Sequence, residues 1–232
     1  MPSSSNLINI QSIKSFKAIN DQLVGLQDSL RKNDLKQFIL FNDAYLIVTS
    51  NIKLASATGH FDNPKFIEKF SVYFASYYFE AINKTINKGK LPTAWKILNT
   101  ISHKKSTPNF ILLLLGANAH INHDLALALA HVTEGEDTDE LLLDVMKIDK
   151  ILMDSGRDII TLFEEPNWVL DVIKRRFIFI YYRPTMYMIL FWRVRAWSRY
   201  KSIKRNGLKK SNYANGSAKI AKRFLLMGKY LG

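Results

Sequence analysis

The sequence contains no cysteine, which excludes disulfides, thiolate zinc sites and a cysteine nucleophile, and which fits a protein of a reducing compartment. No stretch shows the alternation of apolar and polar residues that predicts a half-buried strand. A glycine-rich phosphate loop and a nucleophile elbow are also missing. The first residues lack the basic and continuous apolar regions of a secretory signal, so we expect a cytoplasmic protein.

Acidic residues are missing from the last quarter of the chain. Asp171 is the last of them, and residues 172–232 carry 16 of the 33 Lys and Arg residues. Residues 1–171 carry 17 basic against 20 acidic residues, so the net charge of +13 comes from the C-terminal quarter. A segment that repels itself so strongly usually faces phosphate headgroups, nucleic acid or an acidic surface of its own protein.

Apolar residues recur at three- and four-residue steps almost throughout the chain, which predicts helices. We expect an all-α fold: a single bundle of about eight helices, which forms a domain of residues 1–203, followed by a basic linker and a short helix in 204–232. Serine, proline and glycine predict the helix ends. The first predicted helix opens at the Ser3–Ser5 caps and ends at Asn33-Asp34. The others run over 35–57, 64–87, 91–103, 108–133, 138–154, 157–182 with an interruption at Pro166, and 185–203; further breaks are predicted at Ser155-Gly156 and Pro184.

A cluster of polar side chains interrupts the most apolar of these helices, and we expect that helix to be central. The cluster comprises Asn118, His120, Asn122, His123 and Asp124. Helix geometry puts His120 and Asp124 about 40° apart, on one face. Such a pair suits a divalent metal (zinc, iron or manganese), and equally the carboxylate could orient the imidazole as a base. The other interpretation is a purely structural role, in which buried polar contacts hold the helix against its neighbours.

Four further residues are predicted to line a pocket around this pair. The third helix supplies Tyr73 and Tyr77, the second supplies Asp43, and the sixth supplies Asp149, which interrupts an apolar face. We assign catalytic roles to His120, Asp124, His123 and Tyr77, and pocket roles to Asn118, Asn122, Tyr73, Asp149 and Asp43. Tyrosines at helical spacing are also typical core residues with a wet tip.

The segment Leu115–Leu129, with Phe74–Ala81 upstream and Asp149–Leu152 downstream, resembles an uncharacterised family of bacterial helical proteins. Its hallmark is an Asn-Ala-His-Ile-Asn-x-Asp-Leu motif, which stands here at 118–125. The resemblance implies an all-helical domain and no established activity. More distantly, His120 and Asp124 resemble one helix of the zinc phospholipase C and P1-type nuclease fold, where they would be metal ligands. That superfamily uses more histidines than the five present here, so the resemblance implies at most a single-metal site.

The C-terminal region interleaves aromatic and basic residues from Lys174 to Arg205. Its two apolar runs are too short, and too clearly interrupted by Arg183-Pro184, to span a bilayer. Three interpretations remain: core faces with paired arginines, a peripheral surface for anionic membrane, or stacking on nucleic acid, which is the least favoured. The predicted anion-binding residues are Arg175, Arg176, Arg193, Arg195, Arg199, Lys204 and Arg205.

Together these patterns favour an enzyme, with a preference for a metal-dependent hydrolase, that acts on a small or lipid-like substrate at His120 and Asp124. The alternative is a non-enzymatic helical scaffold that docks on anionic membrane or on an acidic partner through its basic C-terminal region.

Overall fold

The structure, a computed structural model, describes residues 7–101, 107–134, 139–163, 168–208 and 219–223; in 139–140 and 168–183 it describes the backbone alone. Eight α-helices and no strand occur within these ranges, so the predicted all-α class is confirmed. The helices are α1 (Phe16–Lys32), α2 (Lys36–Ala57), α3 (Pro64–Ile86), α4 (Thr93–Ile101), α5 (Asn109–Ala119), α6 (Leu125–Val132), α7 (Asp139–Thr161) and α8 (Trp168–Asn206).

The first helix begins later than predicted. Residues Ile10–Ser12 form a single 3₁₀ turn, and α1 starts at Phe16, while Ser3–Ser5 lie outside the described residues. Ser15 accepts a hydrogen bond from the backbone N–H of Ala18 at 3.2 Å, so this serine is the N-cap. Further along, the predicted start of α3 is correct, because Asn63 caps the helix in front of Pro64.

Two predicted breaks are wrong, and tertiary packing explains the first. Helix α7 continues through Ser155 to Thr161, because the Ser155 hydroxyl donates to the Ile151 carbonyl at 2.7 Å and accepts from Asn51 at 2.9 Å. The serine is therefore satisfied inside the helix and tied to α2, and it is fully buried. A buried, satisfied serine has no reason to end the helix there.

The second wrong break is at Pro184, which lies inside the continuous helix α8. A proline in a helix interior removes one backbone hydrogen bond and costs about 3 kcal/mol. Beyond it, α8 buries one face against the core, and this burial holds the helix together across the missing bond. The buried residues of that face are Met186, Ile189, Trp192, Ala196, Tyr200 and Ile203. The interruption predicted at Pro166 lies outside the described residues.

The polar-cluster helix is central, as predicted. Helices α5 and α6 form one almost continuous rod, in which α5 packs against α2 and α4, and α6 packs against α3 and α8. Gly116 permits the close approach to α2, because a Cβ there would lie only 2.6 Å from the Phe41 ring. By length and hydropathy Asn109–Val132 would be able to cross a membrane, but 83% of its most apolar window is buried inside the protein, as in a core helix of a soluble protein.

The C-terminal part reaches the same core. Helix α8 ends at Asn206, followed by Gly207 at a φ of +73°. Residues 219–223 are helical, and Ala221 is fully buried in the core cluster that contains Trp95 and Trp192. Division of the chain at residue 204 stays a prediction.

Candidate functional site

The centre of the polar cluster is a single π-helical turn, His120–Asp124, between α5 and α6. Its backbone widens by one residue, because the N–H of Leu125 bonds to the carbonyl of His120, five residues back. π-Helical turns are rare in proteins, and many of them lie at functional sites. Here the wider turn brings both His120 and His123 to Asp124.

The Asp124 carboxylate is buried and accepts hydrogen bonds from three side chains. Its Oδ2 lies 3.0 Å from His120 Nδ1 and 3.0 Å from Trp95 Nε1, and its Oδ1 lies 2.7 Å from His123 Nδ1. Burial alone would raise the pKa of Asp124, but the hydrogen bonds from the two imidazoles outweigh it and hold the pKa below its ordinary value. The group is therefore a carboxylate at neutral pH, and both imidazoles donate to it through Nδ1–H.

His120 is left with an unprotonated ring nitrogen in the core. Burial lowers its pKa below the ordinary value, and the hydrogen bond to Asp124 opposes this only in part, so the ring is neutral at neutral pH. Because Nδ1 carries the proton, Nε2 carries a lone pair. This Nε2 is buried, and it has no hydrogen-bond partner among the described residues.

Aromatic rings from three helices enclose the His120 imidazole. Phe74 of α3 stacks on it, with ring centroids 3.7 Å apart and an interplanar angle of 10°. Tyr45 of α2 meets it edge-on at 4.7 Å, and Phe41 does so at 5.7 Å. Trp95 of α4 lies at 6.3 Å. The surroundings of Nε2 are consequently apolar, which strengthens any electrostatic interaction made there.

Two tyrosine hydroxyls belong to this enclosure. Tyr78 of α3 lies 6.0 Å from His120 and donates to the side-chain oxygen of Asn42 at 3.3 Å. Burial raises the pKa of Tyr78 well above its usual range, and the charge of Asp43 adds to the effect. Burial likewise raises the pKa of Tyr45, with the Asp124 charge acting in the same direction. Both hydroxyls stay protonated.

The two asparagines of the cluster form a second polar contact on the same helix. Asn122 donates to Asn118 at 3.0 Å, and both side chains are fully buried. Arg199 of α8 donates to the backbone carbonyl and to the side-chain oxygen of Asn122. Burial lowers the pKa of Arg199 to about 10, with the nearby Arg195 charge adding to it, so the guanidinium stays charged at neutral pH. This contact ties the central helix to α8.

The other predicted pocket residues occupy different places. Tyr73 stacks on His131, with centroids 4.1 Å apart, and Tyr77 packs at the edge of the second core cluster. Asp43 accepts a hydrogen bond from Gln27 at 2.7 Å. Asp149 forms an ion pair with Arg193. Asp43 is linked to the enclosure through its charge effect on Tyr78.

The sequence interpretation did not assign Phe41, Phe74 or Trp95 to the site, and it placed Tyr77 there in preference to Tyr78. One signal was available. Phe74 and Tyr78 flank Tyr77 in the Phe74–Ala81 segment, four residues apart, which puts them on one face of a helix. Trp95 shows no such signal, because its partner Asp124 lies 29 residues away in sequence.

Several of the predicted anion-binding residues are engaged within the protein. Arg193 donates to the Val145 carbonyl at 2.8 Å in addition to its ion pair, and Arg195 lies over the Phe191 ring at 5.7 Å. Lys204 and Arg205 are exposed at the end of α8. The side chains of Arg175 and Arg176 lie outside the described residues.

Metal binding stays a prediction. Within the described ranges, no group of three or more His, Cys, Asp or Glu side chains is arranged to hold a metal ion. Both Asp124 oxygens already accept hydrogen bonds from the two imidazoles and the indole. This arrangement matches a carboxylate that orients histidines from behind. A cation at this site would therefore be held through His120 Nε2.

These features define an all-helical protein with a buried aspartate–histidine network at a π-helical turn. The chain matches a family model over residues 16–231, and it belongs to that family, which is described as a family of unknown function (DUF5995). No curated protein and no solved structure matches the chain. An uncharacterised family is thus confirmed, whereas the resemblance to zinc phospholipase C and P1-type nuclease is not.

Proposed function

We propose that the protein is a hydrolase in which His120 is the catalytic base and Asp124 positions it. The observation that carries this proposal is the buried Nε2 of His120, a neutral nitrogen without a partner among the described residues. Buried polar atoms are nearly always satisfied, so an orphaned one calls for an explanation by water, ligand or function. A base that is neutral at working pH is what general base catalysis requires.

In the proposed reaction, Nε2 takes a proton from a water molecule whose oxygen attacks the acyl carbon of the substrate. Asp124 stabilises the imidazolium that forms, through the hydrogen bond to Nδ1–H. When the tetrahedral intermediate collapses, the bond to the leaving oxygen breaks, and the imidazolium returns its proton to that oxygen. The hydroxyls of Tyr45 and Tyr78 both stay protonated, and that of Tyr78 donates to Asn42.

The enclosure favours a small apolar or lipid-like acyl substrate, because aromatic rings line the surroundings of Nε2. His120 is only 1% exposed, so a substrate reaches it only when a side chain moves. Among the rings around His120, Phe74 is the one that is partly exposed, and it lies flat on the imidazole. Rotation of Phe74 is the proposed entry step.

A divalent metal (zinc, iron or manganese) is a second version of the same proposal. His120 Nε2 would then be a ligand, and the bound water would be the nucleophile. Metal analysis of the purified protein distinguishes the two versions. Stoichiometric metal that is lost in His120→Asn supports the metal version, and activity that survives a chelator supports the metal-free base.

The proposal is tested with p-nitrophenyl acetate, butyrate and octanoate as substrates. His120→Asn keeps a donor near the position of Nδ1 and removes Nε2, so kcat/KM should fall by about 10²–10⁴. His131→Asn is the matched control, because His131 lies on the same central helix but is exposed. It should keep the wild-type kcat/KM.

Two results would contradict the proposal. One is hydrolysis of all three esters no faster than with free imidazole at the same concentration. The other is a wild-type kcat/KM in a folded His120→Asn protein. Either result, together with a much lower melting temperature of that variant, would show that the cluster has a purely structural role.

A further inference from the structure

An exposed stripe runs along the outer side of α8, and its two halves differ in chemistry. Helix geometry places one residue from each turn within about 40° of a common line. In the first half these residues are apolar and well exposed: Tyr187 at 63%, Phe191 at 56% and Val194 at 66%. In the second half they are Ser198, Lys201 and Arg205, all exposed. We call these six residues the α8 stripe.

The apolar half of the α8 stripe is not a displaced part of the core. The opposite side of the same helix is buried, from Met186 to Ile203, and it supplies the packing that holds α8 on the bundle. Three large apolar side chains on successive turns therefore face solvent without a role in folding. Exposed apolar side chains that are grouped in this way mark an interaction site more often than scattered ones do.

Helix α7 adds two exposed apolar side chains at the same level. Leu143 is 58% exposed and Met146 is 56% exposed. The hydrogen bond from Arg193 to the Val145 carbonyl places this part of α7 beside the apolar half of the α8 stripe.

The charged residues of α8 beside this surface are all basic, while α7 contributes the acidic Asp149, which pairs with Arg193. Beyond Asp171 the sequence has no acidic residue, so nothing on the rest of α8 offsets Lys201 and Arg205. Arg195 lies over the Phe191 ring, which places another cation at the apolar half.

We propose that the α8 stripe docks the protein on an anionic lipid bilayer, with its apolar half among the acyl chains and its basic half on the lipid phosphates. Aromatic and aliphatic side chains beside Lys and Arg are the composition of interfacial helices. Aliphatic Val194, Leu143 and Met146 match acyl chains, whereas stacking on nucleic acid bases requires aromatic planes. The proposal uses none of the residues around His120, so it stands apart from the proposed hydrolase.

The test is sedimentation of the full chain with vesicles of phosphatidylcholine alone, or with one third phosphatidylserine. Wild type should bind the phosphatidylserine vesicles, and binding should weaken as salt rises, because the basic half acts through screened charge. Two double variants, Phe191→Glu with Val194→Glu and Lys201→Glu with Arg205→Glu, should each weaken binding about tenfold or more. Val24→Glu is the matched control, since Val24 is 53% exposed on α1, and it should bind as wild type does.

The proposal is overturned by equal sedimentation with both vesicle types, by no sedimentation at low salt, or by unchanged binding in the double variants. It is also overturned if a single-stranded RNA oligonucleotide binds through the stripe and displaces the vesicles. A dimer in light scattering that the Phe191→Glu and Val194→Glu changes convert to a monomer would assign the apolar half to a second copy of the chain. Unfolding of the variants is checked by circular dichroism, and Val194→Ser replaces any variant that fails to fold.

Discussion

A few hydrogen-bond donors stabilise the ionised Asp124 carboxylate in the core. A buried carboxylate is costly unless it is fully hydrogen bonded, and here Trp95, His120 and His123 all donate to it. The donors are themselves fixed, because Trp95 and His120 lie among the aromatic rings of α2 and α3. The network thus keeps a charge and a neutral base next to each other in an apolar region.

Replacing Asp124 with asparagine should destabilise the protein by about 3 kcal/mol, because the amide NH2 replaces one acceptor oxygen and then faces a donor, either His123 Nδ1–H or the pair of His120 Nδ1–H and Trp95 Nε1–H. Urea unfolding measures this loss. Asp21→Asn is the control, since Asp21 is an exposed partner of Lys17 on α1 and should change stability by less than about 1 kcal/mol. Equal losses in the two variants would show that Asp124 has no special place in the core.

The pKa of His120 predicts how stability depends on pH. Its pKa in the folded protein lies below the ordinary value of 6.5, so below pH 6.5 the unfolded chain binds a proton that the folded protein does not. The free energy of unfolding should therefore fall as the pH falls below 6.5. Asp124 also has a lowered pKa, so its stabilisation is present above its ordinary value of 3.8 and is lost below it.

His120→Asn removes the titrating group and should flatten the pH dependence between pH 6.5 and 4. Urea unfolding of wild type and His120→Asn across this pH range measures the difference in slope. A slope in His120→Asn equal to that of wild type would assign the pH dependence to other groups.

At the scale of elements, the close contact between α5 and α2 depends on Gly116. A Cβ at position 116 would lie 2.6 Å from Phe41 Cγ and 2.7 Å from Phe41 Cβ. The Cβ of Phe41 cannot move away unless the α2 backbone moves with it. The approach of these two helices in turn sets the place of Phe41 and Tyr45 against His120. A substitution at Gly116 therefore acts on the site as well as on the fold.

Gly116→Ala should destabilise the protein by about 1–3 kcal/mol through overpacking. Gly25→Ala is the matched control: Gly25 is also inside a helix, but a Cβ there meets nothing within 4 Å. It should stabilise the protein by about 0.5–1 kcal/mol, because alanine restricts the unfolded chain. Thermal unfolding of both variants gives the comparison, and a melting temperature that rises in both would contradict the packing described here.

The sequence predicts a helix end well where neighbouring residues determine it, and poorly where tertiary contacts determine it. The cap at Asn63 and the stop near Gly59 are local, and the corresponding helix ends lie within a few residues of the prediction. The local sequence at Ser155 and at Pro184 is typical of a helix break. Contacts with α2 and with the core nevertheless keep the helix continuous at these positions. The His120–Asp124 contact follows from four-residue spacing, whereas the approach of His123 depends on a π-helical turn that no residue pattern announces.

At the scale of the whole molecule, the central helix is the element that the others cover. It contacts α2, α3, α4 and α8, and nearly every side chain from Leu113 to Leu129 is buried. The aromatic rings around His120 come from separate parts of the chain, so the site exists only when α2, α3 and α4 are docked on this helix. Unfolding of the bundle is therefore expected to remove the site at the same time.

Amide hydrogen exchange tests this coupling. The amides of Leu114–Ala117 and Ala126–Leu129 should exchange only through global unfolding, with free energies equal to that from urea unfolding. Those of α1 at the exposed Val24 and Gly25 should exchange through smaller openings. Rapid exchange in the central helix, at the rate of the α1 amides, would show that it is not the core of a cooperative unit.

The protonation state of His120 decides whether the site can act as a base. Long-range ¹H–¹⁵N NMR spectra of the histidine rings report the proton position on each nitrogen. We predict that His120 shows a protonated Nδ1 and an unprotonated Nε2 at pH 7, and that its pKa lies below the ordinary value of 6.5. A His120 that is doubly protonated at pH 7, or that carries its proton on Nε2, would contradict the neutral base held by Asp124.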